Sequence, residues 1–225
     1  MAHELAHPYT LTFAWVCTAI VSQFRRDVSA VREQAEAAVT LSTEQGFPLW
    51  AAYGTSLRGW SLAIQDQGEA GLAQIRQGIV ASRATGAALF APFYCTMLAD
   101  VAAHLGLTAD GLQVLAEAHA LVEQHEERWW EAEIYRLRGV LLLQQPGTPQ
   151  AEAEACFQCA LEVARRQEAK SLGLRAAMSL ARLWQQQGKR AEARDLLAPI
   201  YGWFTEDFDT ADLQEARGLL EELGG

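Results

Sequence analysis

The 225-residue chain is poor in several things, and each shortage excludes something. It has only four cysteines, with no spacing that reads as a disulfide framework, which fits a reducing cytosol. It has no apolar run of the roughly 18–20 residues needed to span a bilayer. Its first residues lack the basic start and apolar stretch of a signal peptide. Basic residues are in deficit, 18 Lys and Arg against 28 Asp and Glu, for a formal net charge of −10. That balance argues against nucleic-acid backbones and anionic membranes as partners. No segment alternates apolar and polar residues as a strand would. No phosphate-binding glycine loop is present, and no Ser/His/Asp set has the local context of a nucleophile. The expectation is a cytoplasmic protein that is not an enzyme and needs no cofactor.

What is present is a long period. Trp50, Phe90 and Trp130 stand 40 residues apart, as do Gly59, Ala99 and Gly139, with Ala181 following after 42. Three residues beyond each small residue come Leu62, Ala102, Leu142 and Trp184. A second small residue follows at Gly71, Gly111, Ala153 and Ala193. Four further on stand Ile75, Leu115, Phe157 and Leu197, and three after those Gly78, Ala118, Ala160 and Ile200. Spacings of three and four are neighbours on one helical face. Each unit is therefore a helix pair whose small residues let the axes approach and whose large ones fill the groove. Helices are expected at about 9–25, 29–44, 49–66, 69–84, 89–105, 109–125, 129–144, 150–167, 171–187, 190–202 and 211–223. Gly46 and Gly86 should end second helices, with Glu126 taking that column without glycine. Gly68, Gly106 and Gly188 should mark turns inside units, with Thr108 as an N-cap. Pro199 should bend its helix.

The order small-x2-large, then small-x3-large-x2-Ala, best seen in Leu180-Ala181…Trp184…Gly188…Ala193…Leu197, resembles the tetratricopeptide repeat (TPR). The usual repeat has about 34 residues and a proline near its end; this one has about 40 and lacks that proline column, so it resembles the longer variety. Segments such as Arg58-Gly59-Trp60, Ala151-Glu152-Ala153-Glu154-Ala155-Cys156-Phe157 and Tyr201-Gly202-Trp203-Phe204-Thr205 resemble the C-terminal repeat region of large bacterial signalling ATPases, which often carry a nucleotidyl cyclase domain. The resemblance implies an all-α, right-handed α-solenoid of about five helix pairs plus a C-terminal capping helix. Residues 1–225 are expected to form one domain, with units at about 9–46, 47–86, 87–126, 127–168 and 169–204 and the cap at about 208–225. It implies a noncatalytic interaction module that binds a protein or peptide segment; the alternative is a sensor domain with a small molecule in its groove.

Three motifs have a chemical look. His3-Glu4-Leu5-Ala6-His7 matches the zinc-protease pattern, but Pro8 pushes His7 out of the helical region and no third ligand is marked, so no metal site is expected. Cys156-Phe157-Gln158-Cys159 falls inside a helix rather than at its N-terminus, and reads as small apolar packing. Glu206 to Asp212 lacks the central glycine and terminal glutamate of a calcium loop, and reads as a polar turn with Thr210 or Asp212 capping the last helix.

In TPR arrays the first helices line the concave surface, and the resemblance carries that role to Tyr53, Trp60, Phe93, Asp100, His104, Glu133, Arg136, Arg175, Arg182, Gln185 and Gln186. Aromatics beside arginines could take a peptide with an acidic end. In the competing reading Tyr53, Trp60 and Phe93 fill space between helices and the arginines form a solvated face. The first helix is apolar almost all round, so either upstream repeats or a second copy must cover it. Phe13, Trp15, Val16 and Ile20 are the candidate self-association residues. At the other end Tyr201, Trp203, Phe204 and Phe208 should seat an amphipathic capping helix.

Overall fold

A computed structural model describes residues 7–206 and 208–224. The described residues hold eleven α-helices and no strand: α1 (Pro8–Phe24), α2 (Val28–Gln45), α3 (Pro48–Ile64), α4 (Gly68–Ala84), α5 (Ala91–His104), α6 (Thr108–His125), α7 (Glu131–Gln144), α8 (Gln150–Arg166), α9 (Lys170–Gln186), α10 (Arg190–Tyr201) and α11 (Ala211–Gly224). The odd-numbered helices are the first helices of the pairs, and the fold is an all-α helical repeat.

The turns keep the period in their backbone. One column of left-handed residues runs Arg26, Asp66, Gly106, Gly147 and Gly188, and a second runs Gly46, Gly86, Glu126 and Glu168. Each helix from α1 to α9 is thus followed by a residue with positive φ, a conformation that glycine adopts without a Cβ penalty and others adopt at a cost. Between α3 and α4 the role belongs to Asp66 (φ 68°) and not to Gly68, which is the first residue of α4. Thr108 likewise lies inside its helix, with Leu107 at the cap position and no side-chain cap. Asp27 does cap: its Oδ1 accepts from the Ala30 amide at 3.0 Å, which with the Ser29 hydroxyl holds its carboxyl below the ordinary value. His7 caps α1, its Nδ1 accepting from the Thr10 amide at 3.4 Å, while His3 to Ala6 of the zinc-protease match lie outside the described residues. Pro199 sits inside the last turn of α10.

The chain divides into two compact units, Met1–Leu105 and Gly106–Gly225. In the first, α3 packs on α1, α2, α4 and α5. Small residues set the α3–α4 distance: a Cβ on Gly59 would meet the Gly71 carbonyl oxygen at 2.7 Å and the Ile75 nitrogen at 2.9 Å. Such an approach brings the two backbones closer than side chains would allow. Val16, Ala19 and Ile20 of α1 join Val31, Ala35, Leu57, Ile75 and Met97 in the core.

In the second unit, Gly139 of α7 lies against Phe157 of α8, where a Cβ would sit 2.8 Å from Phe157 Cδ1 and 3.0 Å from the Ala153 carbonyl. Ala153, Phe157, Leu180 and Leu183 form one buried cluster; Leu174, Met178, Leu197, Leu213, Leu219 and Leu223 belong to another that joins α9, α10 and α11. Tyr201 and Phe204 pack against the latter, but Trp203 is 56% exposed and Phe208 47% exposed, so only half of the expected aromatic seat packs on that cluster. Trp203 instead lies 5.2 Å from Lys170 Nζ in a cation–π contact.

Candidate interaction surface

The period-breaking positions on the first helices find partners on the next first helix along. In the first unit these contacts are aromatic. Tyr53 of α3 stacks on Tyr94 of α5 with centroids 4.8 Å apart, and its hydroxyl donates to the Leu89 carbonyl at 2.5 Å. Trp50 stands edge-on to Tyr53 at 5.9 Å and to Phe13 at 5.4 Å, and Phe93 edge-on to Phe24 of α1 at 5.7 Å. Trp60 Nε1 donates to Asp100 Oδ2 at 3.4 Å, across 40 residues of chain. Tyr53, Phe93 and Trp60 are therefore buried, at 1%, 1% and 3% exposure, and offer almost no ring surface to a ligand. His104 remains exposed at the end of α5, its ring nitrogen 3.2 Å from the Asp100 carbonyl oxygen.

In the second unit the same columns are charged. Glu133 of α7 accepts from Nη2 and Nε of Arg136, at 2.7 and 2.8 Å, and lies 3.7 Å from Arg175 of α9. Arg175 Nε donates to Asp212 Oδ2 of α11 at 2.7 Å. The result is a nearly buried row of alternating charge, Arg136–Glu133–Arg175–Asp212, crossing three first helices. Arg136 also reaches Ser179 Oγ at 3.5 Å. Further along α9, Arg182 donates to Glu215 at 3.1 Å and Gln185 to Glu222 at 3.3 Å, both near the surface. Gln186 is exposed. Asp212 thus serves as the partner of Arg175. The cap position of α11 falls to Thr210, whose carbonyl accepts from the Gln214 amide.

Several other positions are now placed. Val16 and Ile20 point into the core and Trp15 is half-buried; Tyr9 and Phe13, about half exposed, lie on the same side of α1 edge-on to Trp50 of α3, and Val21 is exposed on another side of the helix. The four cysteines are free thiols. Cys156 is half-buried and burial pushes its thiol up, which keeps it protonated; Cys159 is exposed rather than packed. A cavity of about 440 Å³ opens beside half-buried Leu161, Leu196 and Ile200 and exposed Arg165 and Lys170, and none of the predicted groove residues lines it. One cluster escaped the sequence reading: His119, Glu123 and Glu131 converge at the α6–α7 turn. Its only trace in the sequence is a histidine and a glutamate four apart on one helix.

These features fit a known architecture. PilF of Pseudomonas aeruginosa, a TPR-containing protein, superposes with a TM-score of 0.60 over 96% of this chain and 90% of its own, at 12% identity. The fold is TPR-like. Identity at that level speaks to the fold alone. A family model described as "BrxE family protein" matches residues 117–222, less than half of the chain. An uncharacterized protein of Rhizobium meliloti (strain 1021) is 25% identical over 180 residues, which are 80% of this chain but only 17% of that protein. The TPR-like resemblance is thereby supported, and among the described residues no helix is long and apolar enough to cross a membrane.

Proposed function

We propose that the chain is a noncatalytic protein-interaction module, the regulatory repeat region of a longer bacterial signalling protein, that binds an acidic amphipathic segment along its first helices. The observation that carries this is the seating of α11. Its Leu213, Ala216, Leu219 and Leu223 enter the core while Asp212, Glu215 and Glu222 meet Arg175, Arg182 and Gln185. The chain's own last helix thus displays the chemistry that this face accepts: apolar anchors with carboxylates opposite arginine. The long relative, of which the match occupies 17%, supports a repeat segment inside a larger protein. The cytosol is the compartment that free thiols fit.

Self-association is proposed through α1, where Tyr9 and Phe13 beside Trp50, and Val21 on another side of the helix, stay about half exposed. The test of the module is to capture partners with the chain and titrate the captured protein against Arg182→Glu, a change at a surface position. A ten-fold or greater loss of affinity is expected; unchanged affinity would remove this face from the proposal. Sedimentation of Phe13→Ser against the parent chain tests the second surface: the parent should self-associate and the variant should not. A parent that stays monomeric at high concentration ends that part.

A further inference from the structure

The α6–α7 turn holds an arrangement that helix packing does not require. His119 and Glu123 are four residues apart on α6 and so share a face. Glu126, in the left-handed conformation, reverses the chain and returns Glu131, the first residue of α7, to that face. One ligand atom from each of the three side chains lies within 4.8 Å of the others. Glu131 is only 5% exposed. Its Oε1 is 3.5 Å from Arg128 Nη1, while its Oε2 is sealed from solvent and accepts no hydrogen bond. A buried carboxylate oxygen without a donor is costly, and a bound cation at this carboxylate would offset that cost. The His119 ring is held by the Tyr135 hydroxyl, 3.1 Å from Nε2, which leaves Nδ1 for a metal. Burial, followed by the Glu131 charge, pushes the Tyr135 phenol up, so it stays neutral there. Arg128 is the resident positive charge, gripping Glu123 at 2.9 and 3.1 Å. Its side chain is 42% exposed and that of Glu123 54%, so the guanidinium can leave without disturbing the core.

We infer that His119, Glu123 and Glu131 form a divalent transition-metal site of the zinc class, which loads as Arg128 swings away. One imidazole nitrogen with two carboxylates suits zinc and its neighbours. Calcium and magnesium prefer oxygen alone, and monovalent copper prefers sulfur. Three protein ligands leave a coordination position open, for water or for a side chain of a bound partner. The site shares no residue with the α9–α11 contacts, so its titration tests it separately from the proposed interaction face.

The experiment is calorimetric titration of the metal-free full chain with Zn²⁺, repeated on His119→Gln, Glu131→Gln and Arg128→Gln. The expected result is a saturable site that weakens ten-fold or more in each of the first two and tightens in the third, because its competing charge is gone. Co²⁺ substitution of the unaltered chain gives a readout that needs no variant: a visible spectrum of nitrogen and oxygen ligation without a thiolate charge-transfer band. Absence of Zn²⁺ binding, binding unchanged in both His119→Gln and Glu131→Gln, or a thiolate band would overturn the site. The last two results would place the ion on Cys156 and Cys159 or on the N-terminal histidines.

Discussion

The two units solve one packing problem with opposite chemistry. Between α3 and α5 the link is made by stacked rings, Tyr53 on Tyr94, with Trp60 reaching Asp100. Between α7, α9 and α11 it is made by Glu133, Arg175 and Asp212. The columns are equivalent in the repeat, so the helix pair dictates where a linking residue stands and leaves its chemistry free. Rings contribute buried area and tolerate small shifts. Buried charges add little net stability when paired but are expensive to unpair, so they enforce one arrangement of helices.

The sharpest way to separate the units is to unpair the charges. Arg175→Ala leaves Glu133 and Asp212 facing each other without their shared cation, and should cost about 3–5 kcal/mol in urea unfolding of the chain. A loss below about 1 kcal/mol, the value of an exposed pair, would erase the contrast. Next in size is the glycine contact of the first unit. Gly59→Ala forces a methyl against the Gly71 carbonyl and should cost about 1–3 kcal/mol, since backbone rather than a flexible side chain must move. The smallest effect has the opposite sign. The Tyr94 hydroxyl is buried and makes no hydrogen bond, so Tyr94→Phe should gain about 1 kcal/mol. Burial, with the neighbouring Tyr53 and Cys17, pushes the Tyr94 phenol well above its ordinary value of 10.0. The folded state therefore holds that proton more tightly than the unfolded one. Stability from this group is complete below pH 10 and falls as pH rises beyond it. Tyr94→Phe should remove that alkaline loss, measured as melting temperature against pH.

Much of this fold was legible because it is written as a period. The spacing of Gly59, Gly71, Ile75 and their successors located helix pairs whose observed ends lie within a few residues of expectation, and the anchors are buried where the pattern placed them, apart from half-buried Leu142, Trp184 and Ile200. Glu126 illustrates the limit and the strength together: its column predicted a turn without glycine, and it does hold a left-handed φ of 55°. The proposed groove was less legible. Heptad-like counting assigns a residue to a face of its own helix but does not say what stands opposite. Arg175 is answered by Asp212, 37 residues later, and Trp60 by Asp100, 40 later. The same blindness hid the His119 cluster, since Glu131 joins it only through the turn. Thr108 and Gly68 failed for a simpler reason: each sits one or two residues from the position whose backbone does the work, closer than propensity can resolve.

The central claim is that the residues breaking the period are partners across successive first helices. A double-mutant cycle between Arg175 and Asp212, using Arg175→Met and Asp212→Leu with unfolding free energies for all four chains, tests it most directly. A coupling of about 1–3 kcal/mol is predicted, because either single replacement leaves a nearly buried charge without this contact while the double replacement removes both charges. Additivity within about 0.5 kcal/mol would contradict the account.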